Sequence, residues 1–222
     1  ITVTIVAIPK QEIKTEMVQS SIISEAKAGY NILKENKGLF ALLWIGAFYC
    51  FIYMPINALF PLMSMSYFGG TTTHASIVEI MFAVGMLAGG LLLSTWGGFK
   101  KPTISIVTSF IAMGFALIIA GLLPINGFFI FVFCSAIMGF SAPFYSGVQM
   151  ALIQEKIQPE YLGRVFGLLG SIMSLAMPLG LIVSGIFADQ IGINRWFAVS
   201  GIGILILALL SSLHPSMKEL DK

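Results

Sequence analysis

The sequence predicts an all-α integral membrane protein, and three observations carry that prediction. Hydrophobic residues make up 57% of the 222 and charged residues only 10%, against about 45–50% and about 25% in a soluble globular chain. The apolar residues fall in runs near the ~20 residues that a helix needs to cross a bilayer core, and mean hydropathy is +0.94. The basic residues gather in alternate connections between those runs, as they do in multi-pass membrane proteins. A soluble enzyme is excluded on composition alone. A net charge of +2 with 12 basic residues leaves no patch for nucleic acid. Cys50 and Cys134 each sit inside an apolar run, which argues against a disulfide framework or a metal site.

The first element is Ile1 to Ile8, apolar but rising only about 12 Å as a helix. It has neither an initiator Met nor a signal-peptide layout, so it reads as the end of an earlier transmembrane helix, and the chain as a fragment. Residues 9–38 differ in kind, with five Lys and four Glu. Ile23, Ala26, Tyr30 and Leu33 make one helical face there, Ser20 or Ser21 suits an N-cap, and Gly38 a stop. This segment is expected to be an amphipathic linker helix on the cytoplasmic face. Six spans follow, at about 39–62, 75–96, 103–123, 127–152, 165–188 and 196–213, and 214–222 is a tail. With residues 9–38 inside, the inner segments collect eleven basic residues and the outer ones only Arg195, which predicts a cytoplasmic C-terminus. Lipid-facing backbone must satisfy itself, so the spans are helices, and their unbroken apolar runs do not fit a β-barrel.

Within the spans a few residues ask for an explanation. Glu79 is an acid about four residues into its predicted helix, roughly 6 Å from the outer end. Phe82, Ala83 and Met86 share its face, while Gly85 and Gly89 form a GxxxG on another side, suited to close helix contact. Two readings of Glu79 stand: it faces a functional cavity, or it is a structural acid reaching the interface. Tyr49, Tyr53 and Asn57 recur every four residues on the first span, with Pro55 between them. Ser135, Met138, Ala142, Tyr145 and Gln149 form a stripe on the fourth, with a bend expected at Pro143. Ser171, Ser174 and Pro178 form a weaker one on the fifth. Such stripes face either other helices or a substrate; three of them together with an acid favour an internal cavity. The aromatic and Met content suits a large, mostly apolar ligand.

The inner connections carry the remaining signals. Trp96-Gly97-Gly98-Phe99-Lys100-Lys101-Pro102 is a tight basic turn. In Gln154 to Val165 acids and bases crowd together: Glu155, Glu160 and Arg164 around Pro159 and Gly163. An ion pair between such an acid and a base of a neighbouring loop, made in one conformation and broken in another, is a gate. Plain membrane anchoring accounts for Lys100 and Lys101 as well, but not for Pro159, Glu160 and Gly163. His74 and His214 fall in connecting segments and are expected to be solvated. No GxSxG, HExxH, CxxC or phosphate-cradling loop is present, so no catalytic or metal-ligating residue is assigned.

These turns, with runs such as Tyr53-Met54-Pro55-Ile56-Asn57-Ala58-Leu59-Phe60-Pro61-Leu62 and Ala142-Pro143-Phe144-Tyr145-Ser146-Gly147-Val148-Gln149, resemble the C-terminal half of major facilitator superfamily exporters. The resemblance is closer still to the macrolide-efflux group of Gram-positive bacteria, and it covers essentially the whole chain. It implies a twelve-helix fold of the bacterial cytoplasmic membrane, with residues 1–8 ending helix six and the spans above as helices seven to twelve. It implies export of a small amphipathic drug such as a macrolide, by proton antiport with alternating access between two halves. The proton gradient is then the energy source and no cofactor is needed; the partners are the lipid bilayer and an N-terminal six-helix half. Helices seven, eight, ten and eleven are implied to line the cavity, and nine and twelve to be peripheral. The cavity candidates are then Tyr49, Tyr53, Asn57, Glu79, Phe82, Met86, Tyr145, Gln149, Ser171 and Ser174, with Glu79 also the coupling candidate. The gate candidates are Lys100, Lys101, Glu155, Glu160 and Arg164; the basic turn lacks the acid that precedes the Lys pair in the full family motif. The alternatives are an exporter of another amphipathic compound, or a membrane scaffold or sensor without transport.

Overall fold

A computed structural model describes residues 22 to 221, and every regular element among them is helical. The opening apolar run, Ser20 and Ser21, and the side chains of Ile23 and Ala26 lie outside the described residues. The linker helix α1 runs Ile22–Glu35. It is followed by α2 (Lys37–Leu62), α3 (Thr72–Trp96), α4 (Pro102–Leu122), α5 (Phe128–Lys156), α6 (Pro159–Ile191) and α7 (Ile193–Leu213). All six after α1 are long and apolar enough to cross a membrane. Their outer surface carries side chains such as Leu87, Leu91, Phe129, Leu175 and Leu209, each more than half exposed. An apolar coat of that extent is at home in lipid and not in water.

Helix boundaries follow local chemistry that the apolar runs alone under-read. Gly38 does not stop the linker: Asn36 divides it from α2 by accepting the Leu39 N–H at 3.2 Å on its side-chain oxygen, an N-cap that outcompetes the glycine. Past Leu62, α2 widens into a π turn at Met63–Tyr67, two residues after Pro61. Proline removes an N–H from the ladder, and a wider turn is one way to recover the register. The start of α3 is a turn earlier than its apolar run, because Thr71 donates its N–H to His74 Nδ1 at 3.1 Å. His74 is therefore a cap residue, with its ring 4.8 Å from that of Phe128, and not simply a solvated loop histidine. The largest revision is α6. Pro159 is its first residue, so Glu160, Gly163 and Arg164 stand on helix and the true turn is Ile157–Gln158. Proline at the first helical position is a start signal, and it prevailed over the charged composition that reads as a loop. In the α3–α4 turn, Gly97 and Gly98 both adopt positive φ, +79° and +78°, before Pro102 opens α4. A side chain is strained at each of those two positions.

Packing is pairwise: α3 on α5, α4 on α7 and α5, and α2 on α6 and α7. Against α5, α3 is backbone to backbone. A Cβ at Gly85 would meet the Ala136 carbonyl, one at Gly89 the Phe140 carbonyl, and one at Gly139 the Phe82 carbonyl. The GxxxG of α3 therefore meets a glycine of α5 in reciprocal close contact. At the basic end of the bundle α1 lies directly on α6, where a Cβ at Gly29 would stand 2.7 Å from the Arg164 carbonyl oxygen; Leu33 is fully buried beside it.

The C-terminal residues are not a loose tail. Pro215–Asp221 forms a 3-10 helix whose Met217 and Leu220 are buried, Leu220 against Gly38 of α2. Thr103 donates its hydroxyl to the Met217 carbonyl at 2.7 Å and its N–H to the Asp221 carboxylate at 3.1 Å. Asp221 thereby caps α4, whose own N-cap residue, Lys101, makes no side-chain cap. Replacing Thr103 with Val is expected to lower the melting temperature of the detergent-solubilised protein by a few degrees, since a buried hydrogen bond contributes about 0.5–1.5 kcal/mol. A Thr103→Val protein that melts with the parent shows that the Thr103 hydroxyl adds nothing to the clamp on α4.

Candidate functional site

The polar residues of the spans separate into an interior layer and open faces. The interior layer joins α2, α4 and α5. Tyr49 stacks on Tyr53 (5.2 Å between ring centroids) and on Phe110 (5.3 Å), and its ring lies 4.6 Å from that of Tyr145. Its hydroxyl donates to Met113 Sδ of α4 at 3.4 Å. Tyr145 and Gln149 project from α5 towards Gly46 of α2, where the missing Cβ leaves room for the Tyr145 hydroxyl and the Gln149 amide. Met113 and Phe110 are completely buried beneath them.

Tyr49, Tyr53, Tyr145 and Gln149 are thus enclosed inside the bundle, each at least 94% buried, and not on an open cavity wall. This differs from the sequence expectation for a physical reason. A stripe with helical spacing tells which residues share a face, but not which element covers it, and here α4 closes over them. The layer is also incompletely satisfied. The Tyr53 and Tyr145 hydroxyls, Gln149 Nε2, Ser109 Oγ and Asn57 Oδ1 are buried without a hydrogen-bond partner among the described residues. A buried group left unpaired costs about 1–3 kcal/mol. Tyr145→Phe is therefore expected to leave the melting temperature unchanged or raise it, as the hydroxyl alone is removed. A large loss of stability in Tyr145→Phe contradicts that account of the layer.

The other candidates stand on open faces. The most apolar stretches of α3 and α6 bury only 17% and 22% of their residues, against 56% for α2 and α4. On α3, Glu79 and Met86 are exposed and Phe82 is half-buried, its ring 5.9 Å from that of Phe60 on α2. Because α3 begins at Thr72, Glu79 lies seven residues along it, about 10 Å deep and not 6 Å. On α6, Ser171 and Ser174 are exposed, and the Ser171 hydroxyl donates to the Gly167 carbonyl of its own helix at 2.8 Å. Asn57 of α2 is half-buried. The α3 and α6 groups do not meet, since those two helices do not pack as a pair. The remaining stripe residues of α5 serve packing: Ser135 donates to the Val132 carbonyl at 2.7 Å and the Val78 carbonyl of α3 at 3.2 Å. Cys50 and Cys134 are buried free thiols.

Among the gate candidates, Lys100, Lys101, Glu155, Glu160 and Arg164 are all exposed. Two of them line recesses, and different ones. Lys101 shares one with Lys218 and Asp221 of the tail, and Arg164 shares another with Glu35 of α1 and Lys156 of α5. Reasoning from sequence missed Thr103, Met217 and Asp221 as an end clamp. Nothing in a short C-terminal run signals which helix start it will cap.

A helical bundle with a glycine-mediated α3–α5 contact, two open-faced helices and a basic end has clear relatives. The family model described as Major Facilitator Superfamily matches residues 23–219. Macrolide efflux protein A of Streptococcus pyogenes is 58% identical over 221 residues, covering 100% of this chain and 55% of that protein. Macrolide efflux protein A of Enterococcus faecalis is 62% identical over 181 residues, 82% of this chain and 56% of the relative. The Multidrug efflux pump Tap of Mycolicibacterium fortuitum is 31% identical over 178 residues, 77% of this chain and 41% of the pump. The chain spans about half the length of the curated relatives it matches. No solved structure matches it significantly. With its model fitted along nearly the whole of a multi-pass, six-span helical bundle, the chain belongs to the Major Facilitator Superfamily.

Proposed function

We propose that the chain acts as one six-helix half of an exporter of amphipathic drugs, macrolides among them, driven by the proton gradient through alternating access. The observation that carries this reading is 58% identity over the full chain to a relative named Macrolide efflux protein A. In this reading the open faces of α3 and α6 turn towards an N-terminal six-helix half, and the substrate lies between the halves near the midplane. Glu79, Met86, Ser171 and Ser174 are then the residues placed to face it, with Phe82 and Asn57 at its margin. The interior Tyr49, Tyr53, Tyr145 and Gln149 layer is the stiff floor behind them, so that the half moves as one body. The basic end, carrying Lys100, Lys101, Arg164 and the C-terminus, lies on the cytoplasmic side of the cytoplasmic membrane.

Similarity to the Multidrug efflux pump Tap supports a second reading, export of an amphipathic compound other than a macrolide. Efflux from cells expressing the complete gene tests both. Energy-dependent loss of labelled erythromycin, abolished by a protonophore, is the expected result. Loss of other compounds but not of erythromycin favours the second reading. No transport of any compound leaves the scaffold or sensor and overturns the proposal.

A further inference from the structure

At the basic end, α1, the α5–α6 turn and the C-terminal 3-10 helix surround an open recess of about 930 Å³, within the ~300–1,000 Å³ of small-molecule sites. Three cations line it from three different elements: Lys37 is the first residue of α2, Lys156 the last of α5, and Arg164 stands in the second turn of α6. Two carboxylates, Glu35 of α1 and Glu219 of the tail, line it as well. Neutral donors add to the cations. Asn36 also lines the recess and spends its side-chain oxygen on the Leu39 N–H, so the hydrogen-bonding group it has left is its NH₂ donor. The N-terminus of α6 opens there too, since its N-cap Gln158 lines the recess and makes no side-chain cap.

The arrangement selects by charge and by hydrogen-bonding type. Three cations against two carboxylates leave the lining one charge positive, so a monoanion neutralises it and a dianion or a zwitterion does not. A bare phosphate meets repulsion from Glu35 and Glu219, whereas hydroxyl groups give those carboxylates donors to accept from. Lysine and arginine at the end of a span stand at headgroup level, where basic pockets between helices hold anionic lipid heads. We propose that this recess binds a monoanionic polyol phosphate diester, with the phosphate on Lys37, Lys156 and Arg164 and the hydroxyls on Glu35 and Glu219. The chemistry is that of a phosphatidylglycerol headgroup or of a soluble glycerophosphodiester. The site is separate from the faces assigned to drug, and a binding measurement on it does not depend on what is exported.

The test is thermal unfolding of the complete, detergent-solubilised protein titrated with dihexanoyl-phosphatidylglycerol, dihexanoyl-phosphatidylcholine or glycerophosphoglycerol. Phosphatidylglycerol is expected to raise the melting temperature saturably, because a ligand that binds only the folded state stabilises it, and phosphatidylcholine to leave it unmoved. An equal shift from glycerophosphoglycerol assigns the site to a soluble ligand; a shift from the lipid alone assigns it to the bilayer. Combined Lys37→Gln, Lys156→Gln and Arg164→Gln should abolish the shift, and Lys100→Gln, outside the recess, should keep it. If the triple variant does not fold, Lys156→Gln alone and the pair Glu35→Gln with Glu219→Gln decide. The first should weaken phosphatidylglycerol binding several-fold, and the second should erase the preference for phosphatidylglycerol over dihexanoyl-phosphatidic acid. No shift in the parent, an equal shift with phosphatidylcholine, or a shift that survives these cation substitutions overturns the proposal.

Discussion

Gly139→Leu is expected to leave no stable, monodisperse protein after detergent extraction. Close approach of α3 and α5 rests on three positions where a Cβ would collide with the carbonyl of the facing helix: Gly85, Gly89 and Gly139. Carbonyls cannot rotate away as a flexible side chain can, because each is committed to its own helix ladder. Gly139→Ala already forces the helices apart, at about the 1–3 kcal/mol of an overpacked core, and a leucine exceeds what a small shift can absorb. Gly90 supplies the control. It lies on the same helix as Gly85 and Gly89, but a Cβ there meets nothing within 4 Å. Gly90→Ala should be neutral or slightly stabilising, as alanine is the better helix former. Size-exclusion profiles of heated samples distinguish the two glycines. A Gly139→Leu protein as monodisperse and heat-stable as the parent shows that the α3–α5 contact is not held by its glycines.

In the proposed exporter, Glu79→Gln is expected to reduce macrolide efflux from cells expressing the complete gene to the level of cells without it, while leaving the amount of folded protein unchanged. Both halves of that expectation come from the side chain's position. It is exposed on α3, so its replacement by an uncharged amide of the same shape removes no packing. Yet it lies two turns into a span, where an ionised acid costs up to about 2.5–3.5 kcal/mol on insertion scales. An acid kept at such a depth needs a reason other than packing, and the proposed coupling role supplies one. Drug accumulation and surface expression, measured on the same cells, separate the two effects. Undiminished efflux in Glu79→Gln removes it from the coupling scheme, and loss of expression makes it a structural acid instead.

The two predictions draw on features of very different legibility. The α3 glycines and Glu79 both stand out in sequence, because small residues at i and i+4 and a charge within an apolar run break the pattern of a lipid-facing helix. The partner of those glycines did not stand out. Gly139 lies on the span where a bend is expected at Pro143 and outside the polar stripe, and only the packing of α5 on α3 makes it the receiving surface. The tyrosines show the same gap from the other side. Tyr49 and Tyr145 carry an obvious polar stripe, but their enclosure depends on Phe110 and Met113 of α4, a helix that nothing in their own segments specifies. Hydropathy also places helix starts late wherever the cap lies in polar sequence, as at Thr71 and Pro159, since it marks the lipid-crossing part of a helix and not its ends.

Composition, run length and the placement of lysines were sufficient by themselves for an all-α membrane bundle with six spans and one basic end. Those are properties of each segment's transfer into lipid, which depends on the segment alone. Tertiary structure decided which polar faces are closed and which remain open. It also decided that α1 lies on α6, and that the last residues fold back to cap α4 through Asp221 and Thr103. The reason is that helical periodicity defines the direction of a side chain only relative to its own axis. What lies in that direction depends on the order and spacing of the other helices, and those are properties of the whole bundle.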